Sequence, residues 1–379
     1  MKNFDYCNPT RIVFGKGSIS RLPELIPSGS KVLMLYGGGS IKRNGVYEQV
    51  VSAASGFEMV EFGGIEPNPA HETCLQAIEK CRRENVNFIL AVGGGSVLDA
   101  AKYIAAALKT DCTDPWEILT GEAEVNSAVP LAGILTLPAT GSESNGNSVI
   151  SKRSTKEKRA FGSPHVYPKF SILDPETTFS LPQKQVRNGV VDAFVHVCEQ
   201  YMCRTGESRL QDRFAEGILQ TLIEIGPDTI KDSTDYDKRA DFMWSATMAL
   251  NMLINQGVTQ DWSTHMIGHE LTAFYGVAHA ESLAIVLPGV WRFALEHKGN
   301  KLAQYGKRIW GVSTPQEAID KTEQFFQSVE MPVRLSDYEI DADEAAAKIS
   351  ERFRQRKSVF GEDGLIQADT VGDILLSRA

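Results

Sequence analysis

Twice within the first hundred residues a short apolar run ends in Gly-Gly-Gly-Ser. The run at 31–36 (KVLMLY) leads into Gly37, Gly38, Gly39 and Ser40, and the run at 88–92 (FILAV) leads into Gly93, Gly94, Gly95 and Ser96. Apolar runs of this length, without polar alternation, fit strands covered on both faces. Further strand signals at 57–62 and 131–137, with helical periodicity at 72–85 and 97–108, continue the series. Strand and helix in alternation predict a parallel sheet with helices on its faces.

Beyond Leu181 the pattern changes. Strand signals stop, and amphipathic helices are predicted over 186–202, 208–226, 236–255, 262–274 and 281–296. Pro182 breaks local structure at the transition. The sequence therefore predicts an α/β dinucleotide-binding domain over 1–181 and an all-helical domain over 182–379. At 379 residues two domains are expected from length as well. The glycine loops fall in the first and the histidine pattern in the second, which predicts a catalytic cleft between them.

Asp192 and His196 are four residues apart, so both project from one face of a predicted helix. His265 and His269 repeat that spacing in a second helix, and His279 follows ten residues later. Any one of these histidines could simply be a hydrogen-bonded core residue. Together with Asp192 they suit a mononuclear site of nitrogen and oxygen donors. Spacing alone does not choose between His265 and His269, because either pairs with His279. Cys198, two residues beyond His196, points away from the donor face and is expected to pack.

The glycine-rich turn at 93–96 opens a helix containing Asp99 and Lys102. Its small residues let backbone amides approach a pyrophosphate, and the helix dipole favours the anion. The turn is neither GxGxxG nor a Walker sequence, and alone it could be an ordinary tight connection. At the first glycine loop, a site for NAD would often carry a carboxylate for the ribose hydroxyls. None occurs from Gly37 through Val46, where Ser40, Lys42 and Arg43 stand instead. That chemistry accommodates a 2′-phosphate and points to NADP. A third polar stretch, running from Thr136 through Thr140 and Ser142 to Asn145, follows the strand at 131–137; it reads as an ordinary polar loop or as further phosphate and nicotinamide-ribose contacts.

A net charge of −9 argues against a nucleic-acid partner. The one basic cluster, from Lys152-Arg153 to Lys158-Arg159, reads as a solvated hairpin or as a lure for an anionic cofactor. Six scattered cysteines without a CxxC pair fit reduced thiols. No run is long enough to cross a bilayer and the N-terminus lacks an apolar signal core, so a cytoplasmic location is expected.

Five segments carry a family resemblance: EFGGIEPNPAHE (61–72), AVGGGSVLDAAK (91–102), LTLPATGSESN (135–145), VVDAFVHVCEQY (190–201) and DWSTHMIGHELTAFYGVAHAESLAIVLP (261–288). With them the chain resembles the iron-dependent, or group III, alcohol dehydrogenases, which share a fold with dehydroquinate synthase. Within that family it looks most like the NADPH-dependent butanol dehydrogenase and broad-range aldehyde reductase branch. The resemblance implies that Asp192, His196, His265 and His279 hold one divalent ion, iron(II) or zinc. It makes His269 a neighbour of the nicotinamide end; there His269 is the candidate proton relay, or else a hydrogen-bonding prop for the metal site. Gly93, Gly94, Gly95, Ser96, Asp99, Thr136, Ser142 and Lys158 would line the NADP(H) groove, with Gly37, Gly38, Gly39 and Ser40 at its adenosine end. A homodimer is implied as well.

The expected reaction is hydride transfer from NADPH to a small neutral aldehyde, reversibly, with Lewis-acid assistance from the ion. One departure from many members is Ala280 after His279, where glycine is common; it weakens transfer of substrate preference from diol-oxidising relatives. Two other readings stand beside this one. A lyase of the dehydroquinate synthase type would need cations to grip a phosphorylated, carboxylated substrate. A non-catalytic nucleotide-binding protein would have little use for a complete donor set.

Overall fold

The computed structural model describes residues 1–203 and 208–379. They form two compact units. The first comprises Cys7–Pro182 with Asp232–Thr247, and the second comprises Met1–Tyr6, Gln183–Lys231 and Met248–Ala379.

The first unit is built on six parallel strands: β1 (Arg11–Phe14), β2 (Lys31–Tyr36), β3 (Glu58–Phe62), β4 (Phe88–Gly94), β5 (Leu131–Leu137) and β8 (Phe170–Leu173). Their order across the sheet is β1-β8-β5-β4-β2-β3. The chain moves outward from β2 to β3, then returns to place β4 on the other side of β2. The order thus reverses between β2 and β4. In open α/β sheets such a reversal opens a crevice at the carboxyl ends of the strands, which is where ligands bind.

Successive side chains of a strand face opposite ways. Val32, Met34, Phe88 and Leu90 accordingly join one buried cluster with Ile134 and Ile172. Leu33, Leu35, Ile89 and Ala91 join another, against the helices His71–Glu84 and Gly95–Ala107. Both faces are covered, which accounts for the continuous apolar runs in the sequence. Two strands, β1 and β8, escape prediction because each has only four residues. The hairpin expected around 152–159 is present as the antiparallel pair of β6 (Asn147–Lys152) and β7 (Glu157–Gly162), whose faces carry several charges. The basic cluster at 152–159 lies on this hairpin.

The second unit is mainly helical. Asp192, His196, His265 and His279 lie on its helices Gln183–Tyr201, Ser263–Tyr275 and His279–Phe293. Two departures from the sequence reading occur. Residues 359–360 and 366–367 form a short antiparallel ladder where no strand was expected, each segment being too short to show periodicity. The helix Tyr236–Ala249, expected within the helical half, has Asp232–Thr247 grouped with the α/β unit. Its side chains explain why. Met243 enters the sheet's core cluster, the Arg239 guanidinium donates to the Thr178 carbonyl at 3.1 Å, and the Thr247 hydroxyl donates to Glu143 at 2.5 Å. Among the described residues no helix is long and apolar enough to cross a membrane.

Candidate metal centre and cofactor groove

Asp192 and His196 lie one turn apart on Gln183–Tyr201, both buried. His265 is the third residue of Ser263–Tyr275, and His279 is the first of His279–Phe293. The last two helices pack closely against each other. Gly276 ends the first in a left-handed conformation (φ +72°), and its amide closes on the Thr272 carbonyl at 3.0 Å. At Gly268 a methyl group would stand 2.9 Å from the Ser282 hydroxyl, so glycine allows the close approach that brings His265 toward His279.

One donor atom from each of Asp192, His196, His265 and His279 falls within a cluster no wider than 4.8 Å. The Asp192 Oδ1 atom stands 3.8 Å from His196 Nδ1 and 3.6 Å from His279 Nε2, and these separations are too long for hydrogen bonds. Metal bonds of about 2.0–2.2 Å in a tetrahedron place neighbouring donors roughly 3.4 Å apart. Three imidazoles and a carboxylate thus stand at the spacing and with the chemistry that a divalent ion requires. The His196 and His265 rings are stacked, with centroids 4.8 Å apart, and the His279 ring lies 5.3 Å from that of His265. The cluster of this width includes His265 and does not include His269. The His269 ring is half-buried beside the cluster, 5.3 Å from the His279 ring. Cys198 is buried, as its spacing predicted.

Behind His265 lies a charged layer with no obvious signature in the sequence. The Glu199 carboxylate is 3.5 Å from His265 Nδ1. Burial, with the Asp261 carboxylate nearby, pushes Glu199 up to about 8. Asp261 shows the opposite outcome. Burial opposes its charge too, but the Lys298 ammonium at 2.8 Å prevails and holds it below the usual carboxylate range. Only the position of Glu199, one turn beyond His196, could have marked it in the sequence.

In the first unit the three polar loops meet at the carboxyl ends of adjacent strands. Residues 37–40 follow β2, residues 93–96 span the end of β4 and the start of its helix, and the third loop follows β5. Tyr36 pairs with Val92, and Gly94 with Leu137. A methyl on Gly95 would sit 2.4 Å from the Thr140 hydroxyl, so the loops after β4 and β5 are in close contact. Ser96 Oγ accepts from the Asn68 amide at 3.3 Å, and the Asn68 side chain accepts from Lys158 Nζ at 2.9 Å. Lys158 is thereby drawn from the basic hairpin to the loop cluster, while Thr136 is buried at the end of β5.

Asp99 and Lys102, on the helix Gly95–Ala107, secure this arrangement. The Ser142 hydroxyl donates to Asp99 at 2.6 Å, and the Val149 amide donates to its other oxygen at 3.0 Å. Lys102 is fully buried and donates to Ser142 Oγ at 2.8 Å, Asn145 Oδ1 at 3.0 Å and the Asn147 carbonyl at 2.7 Å. All three ammonium protons are used. Burial raises the Asp99 carboxyl above its usual range and lowers Lys102 to about 8, against the pull of Asp99 and Glu143.

A second ionic cluster flanks the first glycine loop. The Glu61 carboxylate, on β3, accepts from Tyr47 OH at 2.6 Å, Tyr36 OH at 3.2 Å and Lys42 Nζ at 3.3 Å. Scanning 37–46 for an acid could not find this residue, because it arrives from the neighbouring strand.

Two family profiles cover most of the chain. That of iron-containing alcohol dehydrogenases matches residues 9–175, and that of the C-terminal region of the same family matches 187–377. The NADPH-dependent aldehyde reductase YqhD of Escherichia coli (strain K12) is 51% identical over 377 residues, 97% of each chain. A solved structure of E. coli YqhD superposes with a TM-score of 0.97 at 49% identity, covering 100% of this chain and 99% of that one. A protein described as probable NADH-dependent butanol dehydrogenase 1 of Bacillus subtilis (strain 168) is 42% identical, over 96% of this chain and 98% of its own.

The buried Lys102 yields a test of the groove. Its folded-state value, about 8, lies below the unfolded value of 10.5, so between these limits the unfolded chain binds more protons. Stability must then rise with pH across that window, and this contribution is lost as pH falls through about 8. Urea unfolding of the α/β unit at pH 7.5, 9 and 10.5 should show this rise in the wild type. It should be reduced in Lys102→Met; equal slopes would contradict the assignment.

Proposed function

Because the chain belongs to the iron-containing alcohol dehydrogenase family, we propose that it is a metal-dependent aldehyde reductase using NADPH. Its substrates are small neutral aldehydes such as butanal, reduced reversibly to primary alcohols. The observation that carries this reading is the convergence of Asp192, His196, His265 and His279 from three helices. The lyase alternative lacks support from the family assignment, and a non-catalytic role leaves the donor set unexplained.

Asp192, His196, His265 and His279 would hold the ion, iron(II) or zinc. When bound, such an ion supplies Lewis acidity toward a carbonyl oxygen. The hydride belongs to the chemistry of the nicotinamide. The chain's own residues supply placement and proton management. Gly37, Gly38, Gly39 and Ser40 take the adenosine end of the cofactor. Gly93, Gly94, Gly95 and Ser96 present backbone amides to its pyrophosphate at the start of a helix. Asp99, Thr136, Ser142 and Lys158 complete the groove.

The preference for NADPH rests on charge. The carboxylate nearest in space to Lys42 is that of Glu61, and two phenols and the Lys42 ammonium engage it. A carboxylate held in this way neither repels a 2′-phosphate strongly nor stands free to bind ribose hydroxyls. We assign the cofactor groove to 1–181 and the metal and substrate site to 182–379. A homodimer in the cytoplasm completes the reading, on family resemblance.

His269 is the proton relay in this scheme. It stands beside His279 and is half-buried, so it can exchange protons with solvent while remaining at the centre. His269→Asn should lower kcat by about 10²-fold with metal content unchanged, within the range typical of general acid–base groups. Loss of metal with kcat per bound ion preserved would make His269 a structural prop instead.

The reading as a whole is tested with His265→Ala and His279→Ala in an NADPH oxidation assay with butanal, NADH being the parallel cofactor. Each variant should lose metal and turnover together while keeping its NADPH affinity within about twofold. Wild-type turnover that favours NADH would overturn the cofactor assignment, and variants that stay active would overturn the metal assignment.

A further inference from the structure

Lys298 lies on the helix Leu295–Tyr305, outside the donor set, and its side chain is 2% exposed. Its ammonium makes three contacts of hydrogen-bond length, each to a different segment of the chain. The first is to the Met202 carbonyl at 2.8 Å, the second to Asp261 Oδ2 at 2.8 Å and the third to Glu362 Oε2 at 3.0 Å. An ammonium has three protons and no acceptor, so these contacts saturate it.

Two of the three segments lead directly to metal donors. Met202 follows the end of the helix that carries Asp192 and His196, and its amide still bonds to the Cys198 carbonyl at 2.8 Å. A cation at that end also complements the helix dipole. Asp261 lies two residues before the helix that carries His265. Its Oδ1 atom accepts from the Ser263 amide at 2.9 Å, and its own amide donates to the Glu199 carbonyl at 3.0 Å. The third segment braces the second, because the Glu362 amide donates to Asp261 Oδ2 at 3.1 Å. At Gly361 a methyl group would come within 2.5 Å of the Ser263 hydroxyl, so this brace is packed closely against the start of the His265 helix.

From this geometry we propose that Lys298 is a positioning residue for the metal centre: its ammonium sets the His265 helix against the helix of Asp192 and His196. The inference rests on the reading of those four residues as metal donors. Lys298 touches none of them. It acts through the Met202 carbonyl and through Asp261, so its loss should loosen the relative placement of His265 and His196 without removing a donor. Groups that hydrogen-bond metal ligands directly typically change metal affinity by about 10- to 100-fold when lost, which sets the upper end of the effect expected from Lys298.

The test is metal affinity by chelator competition, with zinc as the probe, in the full-length chain. Thermal melting and NADPH titration are run on the same samples. Lys298→Met should weaken zinc binding by about 10-fold and leave NADPH affinity within about twofold, since the glycine loops lie in the other unit. The variant also strands Asp261 and Glu362 together, so Lys298→Met/Glu362→Gln is measured beside it. This double variant relieves like-charge repulsion and should recover much of the melting temperature, yet its zinc affinity should remain low because the tie from Met202 to Asp261 is still missing. Zinc affinity that recovers with the melting temperature, or that never falls, overturns the proposal and leaves Lys298 a stabilising ion pair only. A wild-type chain that takes up no zinc or iron(II) overturns the metal reading beneath it.

Discussion

The constraint on which the rest of the second unit depends is the burial of the Asp192 carboxylate among three imidazoles. A buried charge is costly unless it is paired or coordinates a cation. Here the neighbouring nitrogens stand at 3.6 and 3.8 Å, a distance that suits a shared ion better than direct hydrogen bonds. Once that is granted, the surrounding architecture has a physical purpose. One helix contributes a pair at i and i+4, and a glycine-closed turn folds two others tightly enough to bring His279 back beside His265.

Each unit also holds a buried lysine with its three protons satisfied, and the two reach opposite electrostatic outcomes. Lys102 meets two side-chain oxygens and a carbonyl, all neutral, with the nearest carboxylate one hydrogen bond further away. Desolvation therefore dominates, and its ammonium is lowered to about 8. Lys298 touches two carboxylates directly, which outweigh desolvation and raise it above the usual lysine value. The same residue type thus acts as a neutral-loop anchor in one unit and as an ionic tie in the other. What differs is the charge of the acceptors, since both are deeply buried.

Much of this was legible in the sequence where the signal is local. Apolar runs buried on both faces announced β2, β4 and β5, and the i, i+4 pair announced the Asp192–His196 face. Four-residue strands such as β1 and β8 carry too few positions for a period to emerge. The choice of His265 over His269 was invisible to spacing, because both lie on one helix face; it depends on how that helix meets its neighbours. The partners of Glu61, Lys102 and Lys298 were invisible for a related reason. Their contacts span 14 to 25, 40 to 45 and 37 to 96 residues, respectively. The grouping of Asp232–Thr247 with the α/β unit depends on the partners of Arg239, Met243 and Thr247, which no local pattern names.

The measurement that bears most directly on the central claim is a metal titration of the metal-free protein, following NADPH oxidation with butanal as iron(II) or zinc is added anaerobically. A single centre built from Asp192, His196, His265 and His279 predicts negligible turnover at the start and a rise that ends at one equivalent per chain. Full activity in metal-free protein would contradict the account, as would an end point well away from one equivalent.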